Sequence, residues 1–369
     1  MAKESGFKVL VMLAAMVIVI AGLKLSEAFF IPIMLALFIA TISYPITDWL
    51  RNHRIPRALA VLLTVLVDFA FLIVLASIAV SLLGDFEAKW DATYYPLLRL
   101  RIDETSEMII NSLTGFGFEN AQEAVELYFN DLWKEQLDNL HVEKVLSLGS
   151  GLVGRVASFF GTTFIVLILT VFMLTEARPF GRRFTAICDA RGPNFARMFA
   201  ATKDVQRFLG IKTLVSLITG ILAGILCRAC GLDFFILWAI LAYTLNYVPV
   251  IGSIIAGIPP TILAVLAYDL PRGLIVVAGY GCINIFIGNV VEPSLMGRRF
   301  GLSTLVVIVS VLFWGWLWGP VGMLLAVPLT MIIKVALDHS YEFHWLAVAM
   351  TSESRANQQA NVEAEKEKG

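Results

Sequence analysis

Six polar side chains interrupt stretches that are otherwise apolar: Asp68, Lys212, Asn246, Asn284, Asn289 and Glu292. In hydrocarbon an ionisable group is expensive, and it marks a solute or ion path unless a partner neutralises it. Glycines and prolines cluster in the same part of the chain, at Pro249, Gly252, Gly315, Gly319 and Pro320. Both residue types break helices, so backbone amides and carbonyls become available there. Groups of this kind bind and release a passing molecule; they do not make or break covalent bonds.

Bond-making chemistry lacks its residues. The chain contains no HExxH, GxSxG, P-loop or GxGxxG string, the patterns that carry zinc hydrolysis, serine acyl transfer and nucleotide binding. Without a nucleotide site it is not by itself an ATP-driven pump. Asp269 follows Tyr268, as in one half of an intramembrane aspartyl protease, but no GxGD partner exists. The histidines (His53, His141, His339, His344) fall in loops or near the chain end. Cys227 and Cys230 have CxxC spacing with no second pair and no nearby histidine, and read as two small residues at a helix end. Four cysteines in 369 residues are too few for a disulfide framework. The expectation is a non-enzyme with no cofactor and no metal.

The polar candidates divide by position. Asp68 lies about ten residues, or about 15 Å, into its span; it faces a polar cavity or pairs at a helix interface. Lys212 lies near a span end and either snorkels to the surface or lines a path. Asn246 and Tyr247 precede the Pro249 break, which makes Asn246 a substrate-lining candidate or a helix bridge. Asn284 and Asn289 are five apart and point in different directions. Glu292, followed by Pro293, either pairs with Arg298 or forms part of a gate or ion path. Gly220 with Gly224, and Gly315 with Gly319, have GxxxG spacing, which permits close helix approach.

The elements that hold these residues are membrane spans. Hydrophobic residues make up 58% and charged residues 15%, and mean hydropathy is +0.80. Soluble domains, on a slightly different residue set, hold roughly 45–50% apolar and about 25% charged residues. The net charge of −1 suggests no nucleic-acid partner. A span needs about 20 apolar residues. Residues 8–43 read as two spans turning near Leu23–Glu27, followed by spans near 58–84, 153–174 and 208–229. A run at 234–268 is broken by Asn246–Pro249, Gly252 and Pro259-Pro260. A span at 273–291 comes next, then a run at 302–337 broken by Gly315, Gly319 and Pro320. Each broken run is two full spans or a re-entrant hairpin. Two comparable broken runs entering from opposite faces are the mark of a secondary-transporter site.

The fold class expected is an all-α polytopic membrane protein with about eight transmembrane elements. Two of these are broken or re-entrant hairpins, and a small helical extracytoplasmic segment is added. The chain divides into helices 1–84, an acidic segment 85–149, a transport region 150–345 and a disordered tail 346–369. Basic loops at Arg51–Arg57, Arg178–Arg207 and Arg298-Arg299 place those loops and both termini in the cytoplasm. The 85–149 segment, with 13 acidic and 5 basic residues, faces outward.

Longer strings point to a family. Leu245-Asn-Tyr-Val-Pro-Val-Ile-Gly-Ser253 with Ile258-Pro-Pro260 is one, and Gly288-Asn-Val-Val-Glu-Pro293 with Met296-Gly297 is another. A third runs from Gly301-Leu-Ser-Thr-Leu-Val306 through Phe313-Trp-Gly-Trp-Leu-Trp-Gly-Pro320 to Leu329, and Pro32–Ile39 with Pro45 adds to it. In these strings the chain resembles the AI-2E family of membrane transporters, and within it the bacterial autoinducer-2 exporters. The resemblance implies a bacterial inner-membrane protein that exports autoinducer-2, a small polar quorum-sensing signal. It also implies a homo-oligomer, a pentamer, with an elevator-like motion. Some relatives are Na+(Li+)/H+ antiporters, which is the alternative reading; a membrane scaffold using the acidic segment is a third. The partners expected are the lipid bilayer and a small-molecule substrate.

Substrate is expected between the two breaks, near 246–252 and 315–320. Purified Asn246→Ala and Gly319→Leu proteins that fold normally are therefore expected to lose most of their flux in vesicles. Wild-type flux in both would place the path elsewhere.

Overall fold

The computed structural model describes residues 2–116, 125, 152–191, 193–249, 251–296, 302–338 and 343–351. In lipid every backbone amide and carbonyl must be bonded within its own segment, which leaves the helix as the element for these apolar runs. Among the described residues the elements are helices, with one isolated bridge between Leu302 and Thr351. The all-α polytopic expectation holds.

Helices α1 (Ala2–Leu25) and α2 (Glu27–Asn52) meet in the turn expected there. Helix α3 (Arg57–Lys89) runs through a π-helical turn (Trp90–Tyr94) into α4 (Tyr95–Gly115). Next come α5 (Leu152–Arg191) and α6 (Pro193–Ala229), both extending well beyond the apolar stretches at 153–174 and 208–229. Apolarity marks where a helix lies in lipid, while hydrogen bonding carries it on into water. Of the acidic 85–149 segment, residues 117–124 and 126–149 lie outside the described residues, as does the tail beyond Thr351.

Each packed face follows from its sequence. In α2 the small residues Ala36, Ala40, Ser43 and Thr47 recur at helical spacing and are buried. They admit α3 and α5, whose Val61, Val65 and Leu174 join Ala40 in one cluster. On α6, a Cβ at Gly220 would lie 2.8 Å from the Ala239 carbonyl oxygen, and one at Gly224 would lie 2.9 Å from Ala239 Cβ. The first GxxxG pair is thus a close helix contact.

The run at 234–268 becomes α7 (Phe235–Leu245) and α8 (Ile251–Ala267). Eleven residues rise about 16 Å, half of the hydrocarbon thickness of about 30 Å, so α7 is too short to cross the bilayer by itself. Helix α9 (Leu270–Phe286) leads through a second π turn (Ile287–Val291) into α10 (Glu292–Met296). Asp269, the lone aspartate noted beside Tyr268, is the N-cap of α9 and accepts the Arg272 amide at 2.8 Å. Helical backbone continues through Glu292-Pro293, where proline would be expected to end it; the π turn widens the helix just before the proline, and π turns of this kind recur at functional sites.

The run at 302–337 becomes α11 (Thr304–Asp338), broken at Trp318 (φ −130°) and Gly319 (φ 62°, ψ −146°). Gly319 is therefore a turn residue, where a side chain is strained, rather than half of a helix-packing motif. A short α12 (His344–Ala349) follows. In both hairpins a glycine lies against a carbonyl of the preceding limb. A Cβ at Gly252 would overlap the Leu245 carbonyl oxygen, and one at Gly322 the Trp314 carbonyl oxygen.

A clamp at the rim holds the first hairpin. Asp233 accepts from Tyr94 Oη at 2.7 Å and Lys89 Nζ at 3.0 Å, and Trp238 Nε1 donates to its backbone oxygen at 2.9 Å. Phe86 lies edge-on to Phe234, 5.4 Å between centroids. These contacts hold Phe234 at φ 58°, a left-handed conformation unusual for a bulky residue. The Tyr94 hydroxyl and then Lys89 hold the Asp233 carboxyl below its ordinary range, against a smaller opposing push from burial.

Gly252→Ala and Gly322→Ala are each expected to lower stability by about 3 kcal/mol, whereas Gly288→Ala, with open space at its Cβ, stays within about 0.5 kcal/mol. Thermal unfolding of the purified proteins checks this. The depressed Asp233 pKa also fixes a sign. Its stabilisation is complete above the unfolded aspartate pKa of about 3.9 and is lost as pH falls through the lower folded value. The stability advantage of wild type over Asp233→Asn is expected to hold from pH 7 to about pH 4 and to shrink below that.

Candidate functional site

Three cross-helix contacts run along one face of α6. Lys212 and Ser216 are four residues apart and share that face, with Thr213 beside them. Lys212 Nζ lies 3.0 and 3.1 Å from the two carboxylate oxygens of Glu292. Tyr247 Oη donates to Thr213 Oγ1 at 2.9 Å, and Asn246 Nδ2 donates to Ser216 Oγ at 3.0 Å. Tyr243 Oη adds a fourth group, 3.3 Å from Tyr247 Oη. Lys212, Ser216, Asn246 and Tyr247 are buried. The first hairpin's break and the π turn after α9 therefore converge on one polar seam.

The seam bears on the readings of Lys212 and Glu292. Lys212 does not snorkel: its side chain is 5% exposed, because α6 begins nineteen residues earlier, at Pro193, and carries it inside. Its partner is Glu292, 24% exposed. Arg298, the partner considered for Glu292, lies outside the described residues. The two charges neutralise each other. What remains for a ligand is a row of hydroxyls, a phenol and an amide, the chemistry that hydrogen-bonds a small polar solute without demanding that it be charged.

The other candidates fall in three places. Pro249 and Gly252 belong to the turn beside Asn246, with Ile251 N donating to Pro249 O at 2.7 Å. Asn284 is half-buried and Asn289 exposed, and neither hydrogen-bonds to a seam residue among the described residues. Gly315 is buried against Met323, while Gly319 and Pro320 form the second turn. The two breaks meet through apolar contacts: Val248 and Ile251 pack into the cluster of Val311, Trp314, Leu317, Trp318 and Ala326.

Asp68 stands apart. Ser43 Oγ donates to its Oδ1 at 2.8 Å, while its Oδ2 is buried without a hydrogen-bond partner. With Thr47 and Thr64, joined at 3.0 Å, it marks a polar track between α2 and α3. A cavity of about 120 Å³ lies between α2, α6 and the second limb of α11, lined by Met34, Phe38, Leu209, Leu325, Pro328 and Ile332 among others. Its walls are apolar, with Thr41 the one hydroxyl, so it does not suit a polar solute.

Thr213, Ser216 and Tyr243 are site residues that the sequence reading missed. Their signal is the spacing of Lys212, Thr213 and Ser216, a polar edge on an otherwise apolar helix. Lys334, buried in the second limb of α11, was missed as well.

The AI-2E family transporter model matches residues 13–342 of this chain. The AI-2 transport protein TqsA of Escherichia coli K12 is 33% identical over 348 residues, 94% of this chain and 96% of that protein. A Haemophilus influenzae Rd protein is 37% identical over 333 residues, covering 89% and 91%. YhhT of Escherichia coli K12 is 31% identical over 337 residues, covering 91% of each chain. The names of the last two refer to transport and specify no cargo.

Removing one partner of a buried ion pair strands the other, at a cost of about 3 kcal/mol, while replacing both with apolar groups is close to neutral. Glu292→Leu alone is expected to destabilise strongly, and Lys212→Met with Glu292→Leu to recover most of the loss. A double-mutant cycle on thermal unfolding measures this coupling.

Proposed function

This chain belongs to the AI-2E family of transporters, and from that premise we propose that its cargo is autoinducer-2, exported across the bacterial inner membrane. The family makes it a multi-pass membrane transporter and not an enzyme. The observation that carries the cargo reading is the end-to-end match to a protein named for AI-2 transport. The seam on α6 supports it, because hydroxyl, phenol and amide groups suit a small, polar, hydrogen-bonding signal.

The mechanism proposed is alternating access with an elevator-like excursion. Two broken hairpins touch at Val248, Ile251, Trp314 and Trp318; entering from opposite rims, as the sequence pattern leads one to expect, they would provide a site each side can reach in turn. The transport region 150–345 moves against helices 1–84, and the acidic 85–149 segment caps the outer face. Both termini lie in the cytoplasm, by the positive-inside rule, and the chain assembles as a homo-oligomer, a pentamer. Asn246, Tyr247, Pro249 and Gly252 line the path with Thr213 and Ser216, and Gly315, Gly319 and Pro320 form its second wall.

A specific observation favours Na+(Li+)/H+ antiport as the second reading. Asp68 is an intramembrane carboxyl with one unpartnered oxygen, as a proton carrier requires. Vesicles loaded with a pH dye separate the two. Sodium-dependent proton release lost in Asp68→Asn supports antiport.

Cells lacking the protein are expected to accumulate autoinducer-2 inside and to release less of it; overproducing cells do the reverse. Asn246→Ala is expected to slow efflux about fivefold, the worth of roughly one hydrogen bond. Unchanged autoinducer-2 distribution in all three strains would overturn the cargo.

A further inference from the structure

At the second break a lysine stands where a helix has run out of donors. The first limb of α11 ends at Leu317, just before the non-helical Trp318 and Gly319. The last carbonyls of a helix have no partner within it, and they form the negative end of its dipole. Lys24, in the last turn of α1, reaches this end from 292 residues away in sequence. Its Nζ lies 3.0 Å from Trp316 O, 2.9 Å from Leu317 O and 3.0 Å from Glu27 Oε2. An ammonium has three N–H donors, and here three oxygens accept them. The turn is held in place independently: Trp318 Nε1 donates to Leu23 O at 3.2 Å, and its ring stacks on Phe30 at 5.9 Å.

Transporters built on discontinuous helices use such carbonyl ends to coordinate a sodium ion. Two backbone carbonyls and one carboxylate are hard oxygen donors of the kind a monovalent metal cation takes, and the position is already filled by a cation tethered to the chain. We propose that Lys24 is a built-in substitute for a coupling ion: it occupies the cation site of the second broken helix, so the protein holds this hairpin and moves its cargo with no sodium or lithium bound there. The inference rests on the transporter reading above. The site itself, however, can be tested without any cargo, because the Lys24 side chain is 40% exposed and removing it would open the three oxygens to ions from solution.

The test is thermal unfolding of the full-length protein in sodium, lithium and choline chloride at equal ionic strength. Wild type is expected to unfold at one temperature in all three. Lys24→Ala is expected to unfold about 5 °C lower in choline chloride and to regain at least half of that loss in sodium or lithium chloride. Lys24→Met, whose apolar chain fills the space, is expected to lose as much and regain nothing. Equal unfolding of Lys24→Ala in all three salts overturns the proposal. The wild-type arm stands even if Lys24→Ala does not fold, since sodium-specific stabilisation of wild type also overturns it. In proteoliposomes, wild-type efflux of autoinducer-2 is expected to run within twofold at the same rate with sodium or choline, and sodium-dependent efflux overturns the substitution. If no autoinducer-2 moves in either salt, the cargo reading fails, and the unfolding temperatures alone decide the role of Lys24.

Discussion

The structure depends on a single constraint: inside hydrocarbon no backbone amide or carbonyl can be left without a partner. An unbroken helix meets it automatically. This chain breaks two helices at membrane depth, and the surroundings of each break are the means of meeting the constraint by other routes. At the first break the turn bonds to itself, with Val248 N reaching Leu245 O and Gly252 N reaching Val248 O. At the second, Lys24 reaches in from the opposite end of the chain. The glycines at 252 and 322 let each returning limb sit against the last carbonyls of the limb before it.

Charge obeys the same rule in a stricter form. Lys212 and Glu292 are far apart in sequence, and each alone would be costly at this depth. Together they are neutral, and they tie α6 to the start of α10, just beyond the π turn. That leaves the rest of the seam polar but uncharged. As the substrate site proposed above, it would distinguish molecules by shape and hydrogen bonding rather than by net charge.

Much of this was legible in the sequence because hydrocarbon is a severe reader. The spans, the turn near Leu23–Glu27 and both broken runs follow from run length and from where glycine and proline fall. Composition did not show where the 234–268 run divides; the structure gives its first limb eleven residues, too few to cross the bilayer. Pairings between distant elements were out of reach. Lys212 reads as a snorkelling residue when only its own helix is considered, and its true partner lies 80 residues on. Ser216 and Thr213 are ordinary hydroxyls in a span until Asn246 and Tyr247 are placed opposite them. Asp269, for which the sequence offers no GxGD partner, is a helix cap, because a single aspartate before a helix serves the backbone first.

Gly220 and Gly224 bring α6 and α7 so close that no side chain fits between them at Ala239. Helices interlocked at that distance do not slide past each other without lifting apart, and in lipid nothing would fill the gap. In the alternating access proposed above, the two would travel as one slab, taking Asn246, Ser216 and the Lys212–Glu292 pair along with it. Any hinge that exposes the seam alternately to the two sides therefore lies outside this slab, in the connections that lead into it.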